Sequence, residues 1–416
     1  MMYWIYTMMV RPVVAYASIV WWNKATQRTV RYRLDRLQMA CVGITGAFRT
    51  TPTMAMETLL GLLPLDLFLI KTAVNTARRK LHNETWCQKG TIYGHRRILA
   101  LVKGVRELDM PMDGIKRVVV PEMYHTILID DGSLPEVGSE TIKIFTDGSM
   151  KNGSFGAGYY SMELGLNCQI NMGRYASVYQ AETMALIHAL DHVHGNEVCG
   201  RELLFATDCK ELVKCMKGGT FDSSLALECA HRLKECSTRN AVTLVWVRGH
   251  SGIDGDERAD ALAKGGTTTK FVGPEPYTAI SRGTARDIVE NWAISKHQKR
   301  WKEVKGLRQS KMTLGLGRGT LRKLVALTSG HGGFRHHLVG MKILTDDACR
   351  LCLEDEETAA HIVCKCPALE SIRRGVTGHR FLAESELGRM PFKDMLEITR
   401  DTIFDEQSGR LEWQTG

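Results

Sequence analysis

With 416 residues the chain has room for two or three domains, and an apolar content of 44% is that of an ordinary globular protein. Twelve cysteines are too sparse for a disulfide scaffold. The apolar opening, residues 1–22, is interrupted by Arg11-Pro12 and has no basic lead, so neither a secretory signal nor a membrane partner is expected.

Residues 1–85 are expected to be a helical domain. Arg28, Arg31, Arg33 and Arg36 alternate with apolar positions, and Thr50-Thr51-Pro52-Thr53 is a cap-and-turn signal before a helix from Met54 to Leu60. No Tyr/Phe-x-Asp-Asp tract and no paired strand aspartates occur before residue 140. Polymerase activity is therefore not expected. Residues 86–139, punctuated by Pro111, Pro121, Gly132 and Pro135, read as a partly helical connector ending in a loop.

From 140 to 267 the pattern becomes strand-rich. Ile142 to Asp147 is a strand, Gly148 to Gly158 flank a hairpin turn, Ala157 to Met162 is the return strand and Cys168 to Met172 a third. Ser177 to Val193 is an amphipathic helix. Strands at Glu202–Ala206 and Val242–Val247 then alternate with helices at Lys210–Met216, Leu225–Cys236 and Arg258–Lys264. Three strands followed by alternating units imply an α/β domain, a mixed five-stranded sheet with flanking helices.

Gly265-Gly266 and Gly273-Pro274-Glu275-Pro276 open segment 268–345 as a linker. A basic helical stretch follows, with Trp292 and Trp301. The net charge of +9 is concentrated here: between Ser281 and Thr345 fourteen Lys and Arg stand against Asp287, Glu290 and Glu303. Such an excess is the expected footprint of a polyanion-binding face, so segment 281–345 is expected to bind nucleic acid. In segment 346–370, Cys349-x-x-Cys352 is followed by His361 and Cys366, a set able to close a tetrahedral shell around a structural Zn²⁺. Cys364 competes with Cys366 for the fourth place. His331, His336 and His337 are expected to be nucleic-acid or surface contacts, and 371–416 a tail.

Four acids carry the chemistry. Asp147 and Asp208 close strand patterns, Glu182 lies near the front of a helix, and Asp260 lies on the last helix of the α/β segment. Convergent carboxylates repel and raise one another's pKa unless cations neutralise them. Oxygen-only clusters suit Mg²⁺ or Mn²⁺, and two such ions about 4 Å apart clamp a phosphodiester under attack. His250, bracketed by Gly249 and Gly252, offers an imidazole, a side chain able to take up and release a proton. Asp254 and Asp256 are expected to be accessory or surface acids.

These settings are Phe-Thr-Asp-Gly-Ser at Asp147, Gln-Ala-Glu at Glu182, Thr-Asp-Cys at Asp208, and Gly-His-Ser-Gly-Ile at His250 leading to Ala-Asp at Asp260. Together they resemble ribonuclease H of the type found in non-LTR retrotransposon polyproteins. The resemblance implies an endonuclease that cuts RNA in an RNA/DNA hybrid with two Mg²⁺ or Mn²⁺ per site. Asp147 would bridge both ions, Glu182 and Asp208 would hold one side, and Asp260 the other. The family usually has Asn where Asp256 stands. Hybrid recognition needs a reader of the RNA 2′-hydroxyl. The Gly148-Ser149 backbone, Asn152 and Gln180 are candidates. Residues 1–85 resemble the thumb and connection region after a reverse transcriptase palm, on Arg11-Pro12, Trp21-Trp22, Leu34-Asp35-Arg36-Leu37-Gln38 and Arg49 to Thr53. The Cys/His spacing, with Leu327 to Gly332 and His337 ahead of it, is similar to the zinc motif downstream of that enzyme. Cys366 is favoured over Cys364 because it precedes Pro367 as in that pattern. The chain thus reads as the C-terminal part of a longer polyprotein, or as a truncated genomic copy. The alternative is a catalytically silent nucleic-acid-binding remnant. An integrase on the same fold fits less well, because the helix Glu and the Gly-His-Ser-Gly loop are not expected there in that order.

Overall fold

The computed structural model describes residues 1–82, 94–120, 126–129, 131–300, 313, 315–400 and 402. Trp301, Lys302, Lys305, Arg308 and Lys311 of the basic stretch lie outside them. Contacts group the chain into two units, one from residues 1–74, 94–98 and 291–416, the other from residues 75–93 and 99–290.

The second unit is an α/β fold. Its strands are β1 (Gly114–Val119), β2 (Thr126–Leu128), β3 (Ile142–Lys151), β4 (Ser154–Ser161), β5 (Leu166–Gly173), β6 (Glu202–Thr207), β7 (Thr220–Ser223) and β8 (Ala241–Trp246). Six form one mixed sheet in the order β2-β8-β6-β3-β4-β5. β3, β4 and β5 are antiparallel, while β6 and β8 run parallel to β3. These are the five expected strands. The sixth, β2, comes from the connector and runs parallel to β8 at the edge. The connector is thus more than a loop, since β1 also pairs with β7. Its buried Asp113 accepts hydrogen bonds from Ser223 Oγ (2.7 Å), Ser224 Oγ (2.8 Å) and the Leu225 amide (2.9 Å). A carboxylate suits the amide-rich start of the Ser224–Ser237 helix. Nor does the expected linker run free. Ile280 is fully buried and bridges Met112, because its apolar side chain has core to fill.

Strand parity decides what each face carries. Ile142 and Ile144 of β3 pack with Leu203 and Phe205 of β6 beneath the Val178–Gly195 and Ser224–Ser237 helices. Phe145, Leu204 and Ala206 face the other way, into a core with Ala259 of the Asp254–Gly266 helix. That helix starts four residues earlier than its expected Arg258. It sits directly on β4, where a Cβ on Gly158 would stand 2.6 Å from the Ala259 carbonyl oxygen. Gly158→Ala is expected to cost about 2–3 kcal/mol through overpacking. Denaturant unfolding measures it, and an unchanged midpoint would contradict so close a seat.

The first unit is helical. Tyr6, Met56, Leu59 and Leu60 share one buried core with Leu324, Val325, Phe334, Cys349, Ile362, Val363, Met395 and Ile398. The expected separate zinc module and tail are therefore corrected. The Cys/His segment is part of a core that begins near the N-terminus, and residues 370–398 carry the helices Glu370–Thr377, Glu384–Leu387 and Phe392–Ile398. Leu382, Met395 and Ile398 supply the apolar positions that bind this stretch into the core. Among the described residues no single helix is long and apolar enough to cross a membrane.

Candidate catalytic and metal sites

Asp147 on β3 and Asp208 just after β6 point to the same face by parity, and pairing of Thr146 with Thr207 makes them neighbours. Glu182 comes from the helix on the opposite face. It reaches them because Gly148 has no side chain: a Cβ there would stand 2.5 Å from the Glu182 amide nitrogen. Glu182 Oε2 accepts a hydrogen bond from Thr207 Oγ1 at 3.4 Å. Carboxylate oxygens of Asp147, Glu182 and Asp208 lie within 4.8 Å of one another.

Asp260 stands beside this trio rather than within it. Its Oδ2 is 2.6 Å from Lys264 Nζ, one helical turn on. Burial pushes Asp147 up to about 7, with Asp208, Asp260 and Asp256 adding repulsion. Burial raises Glu182 well above its ordinary value, helped by Asp147 and Asp208. Asp208 is raised by burial and Asp260, and lowered by His250. Carboxylates in such a pocket hold their protons to higher pH than usual and repel one another once ionised, unless a cation neutralises them. An oxygen-only, partly buried donor set with this repulsion fits a hard divalent ion.

His250 is exposed and adopts a left-handed φ of 55°. The preceding Gly249 lies so close to the trio that a Cβ would stand 2.5 Å from Asp208 Oδ2. The loop thus brings an imidazole to the rim. Asp256 is only 4% exposed and pushed up to about 6 by burial, then by Asp208 and Asp260. Of its two expected readings, accessory or surface acid, the surface one is corrected. The signal available in sequence was its place four residues before Asp260, on one helical face.

One hybrid-reader candidate is also corrected, and the other is placed. Gln180 is fully buried and spends its amide on the Ala279 carbonyl (2.8 Å) and Asp113 (3.4 Å). Asn152, with φ of 52°, forms with Gly153 (φ 77°) the two-residue turn closing Lys151 against Ser154. That turn lies about 17 Å along the strand from Asp147 at roughly 3.3 Å per residue.

In the other unit the ligand atoms of Cys349, Cys352, His361 and Cys366 lie within 4.8 Å of one another. Cys349 Sγ is 3.9 Å from Cys366 Sγ, and Cys352 Sγ is 3.3 Å from His361 Nε2. A tetrahedral Zn²⁺ with bonds of about 2.3 Å to sulfur and 2.0–2.1 Å to nitrogen spaces its ligands by roughly 3.6–3.8 Å. The donor set therefore fits zinc, and Cys364 is outside it. His361 Nδ1 is 3.4 Å from an Asp355 carboxylate oxygen, a proximity that falls short of hydrogen-bond geometry. His336 Nδ1 instead lies at the surface, 3.3 Å from an Asp347 and 3.2 Å from a Glu356 carboxylate oxygen.

The basic stretch is partly spent on internal contacts. Arg300 pairs with buried Asp66 (2.8 Å), Arg282 with Asp222 (2.8 Å) and Arg335 with Asp346 (2.7 Å), while Lys323 donates to the Thr399 carbonyl.

Residues 139–268 match the family model described as RNase H. A stretch of 35 residues is 51% identical to a ribonuclease H of Hyphomonas neptunium (strain ATCC 15444), covering 8% of this chain and 23% of that protein. The chain thus spans about a quarter of the length of that curated relative. Among solved structures, RNase H1 from the halophilic archaeon Halobacterium salinarum NRC-1 is 22% identical, with 30% of this chain and 96% of that one covered and a TM-score of 0.25. Residues 139–268 are an RNase H domain, with the mixed sheet and flanking helices described above.

Proposed function

We propose that the chain is a metal-dependent endonuclease that hydrolyses the RNA strand of RNA/DNA hybrids. The observation that carries this reading is the convergence of Asp147, Glu182 and Asp208 in a pocket where burial and mutual repulsion disfavour their charges. With Asp260 they would hold two Mg²⁺ or Mn²⁺ ions, which when bound activate water and stabilise the leaving oxygen. The acids keep phosphate out of the pocket until cations neutralise them. Lys264 holds Asp260 in place. His250, on a loop that touches Asp208, is placed to hold or release a proton at the rim. The Gly148-Ser149 backbone and Asn152 stay the candidates for the 2′-hydroxyl, with Gln180 engaged elsewhere.

The wider reading is the C-terminal part of a non-LTR retrotransposon polyprotein. Its helical residues 1–85 would derive from the thumb and connection region. Its Cys349-Cys352-His361-Cys366 centre would bind structural zinc. Supporting it are the four-ligand geometry and the shared core of the two regions. Arg286, Lys296, Lys299, Arg318, Arg322 and Lys342 would carry nucleic-acid phosphates.

The test incubates the full chain with end-labelled hybrid, single-stranded RNA and duplex RNA, in Mg²⁺, in Mn²⁺ and in chelator. Internal cuts in the RNA of the hybrid alone, dependent on metal, are expected. Tight hybrid binding without cutting in either metal would replace this reading by that of a silent binding remnant.

A further inference from the structure

Arg373 is fully buried, yet no carboxylate lies within ion-pair distance of it among the described residues. The acids nearby are already committed: Glu370 to Arg380 at 3.1 Å and Glu384 to Lys365. Its guanidinium donates instead to neutral carbonyls, those of Val363 (2.7 Å), Cys366 (2.8 Å), Arg380 (2.7 Å) and Ile362 (3.4 Å). Carbonyls satisfy its hydrogen bonds but not its charge, and a buried cation without a counter-ion is costly.

Three of those carbonyls belong to the turn that carries His361 and Cys366, so the guanidinium lies directly behind two of the four metal ligands. A divalent ion held by three thiolates and one neutral imidazole has a net charge of minus one. We propose that Arg373 is the positioning residue and counter-charge of the Cys349-Cys352-His361-Cys366 centre, so that the charge of the arginine and that of the loaded centre cancel inside the core. The inference rests on the zinc reading of that centre. It explains why an arginine, rather than an apolar residue, fills a fully buried site against the backbone of Ile362 and Val363. It also ties the Glu370–Thr377 helix to the loaded state, because among the described residues Arg373 has no ion-pair partner of its own when the centre is empty.

The test uses the full chain, with zinc ion alone as probe. Chelator competition measures zinc affinity for wild type, Arg373→Gln and Arg373→Lys, beside thermal unfolding of the zinc-loaded and zinc-free forms. Gln retains donors for the carbonyls but no charge, whereas Lys retains the charge. Arg373→Gln is expected to weaken zinc binding about 10–100-fold, the range for outer-sphere partners of metal ligands. Arg373→Lys should stay near wild type, and zinc-free Arg373→Gln should melt no lower than zinc-free wild type. Equal loss of affinity in both variants would assign the effect to guanidinium packing and overturn the proposal. So would lower melting of both forms with affinity unchanged, the pattern of a carbonyl cap alone. If Arg373→Gln does not fold, Arg373→Lys must still bind zinc near wild-type strength for the proposal to stand. Wild type that binds no zinc would end the zinc reading and this inference together. Wild type that binds zinc beside an indifferent Arg373→Gln would end the inference only.

Discussion

Asp208→Asn is expected to lower RNA-strand cleavage by about 10³-fold while leaving the metal-free protein at least as stable as wild type. Metal-borne charge stabilisation supplies several kcal/mol of a hydrolytic barrier, and each 1.36 kcal/mol is a factor of ten. Removing one of three mutually close carboxylates forfeits most of it. Without metal the same carboxylate is a liability, because Asp147 and Glu182 are pushed up by burial and by their neighbours. Asn keeps the shape and removes one repelling charge. Activity and melting temperature should therefore move in opposite directions, a combination that misfolding cannot imitate. A variant that cuts at more than a tenth of the wild-type rate, or melts clearly lower without metal, would count against the site.

The same repulsion sets a pH dependence. The folded-state pKa of Asp147 is raised to about 7 from an ordinary 3.8. Between those values the folded chain binds more protons than the unfolded one, so metal-free stability falls as pH rises through this window. Mg²⁺ should flatten the slope, as thermal melts at pH 5 and pH 7.5 with and without it would record.

The second large effect concerns the other unit. Replacing Cys349 and Cys352 together by Ser is expected to abolish zinc content, about one ion per chain in wild type, and to unfold that unit. Zinc in small Cys/His sites contributes about 10–16 kcal/mol, as much as a whole domain's net stability of about 5–15 kcal/mol. Because Met56, Leu59 and Leu60 share the core with the cysteines, protease cleavage within residues 1–74 should rise sharply, some 300 positions from the substitutions. Cys364→Ser is the control. It is buried but outside the ligand set, so it should retain zinc. Unchanged zinc in the double variant, or zinc lost in Cys364→Ser, would each contradict the assignment.

Much of this was legible from local pattern. The strand runs ending at Asp147 and Asp208 have period two, and the helix of Glu182 has period 3.6, so their faces follow from the chain itself. The Cys349-x-x-Cys352 pair is likewise a local chelate. Other features left no such trace. The pattern of the connector predicts a partly helical segment ending in a loop and gives no sign of strands, but Asp113 and β1 bind it to β7 and the Ser224–Ser237 helix. Gln180 was read as a substrate contact, but the Ala279 carbonyl and Asp113 enclose it.

The residue types, their order and their spacing determined that four acids and one Cys/His quartet exist, and on which strand or helix face each stands. Which of them meet was decided only in three dimensions. There Asp256 turned inward, Asp260 was diverted to Lys264, and the N-terminal helices and the Cys/His segment closed one core. Periodicity records what a residue does to its own helix or strand, whereas burial and charge balance are summed over neighbours far away in the chain, and no local pattern carries that sum.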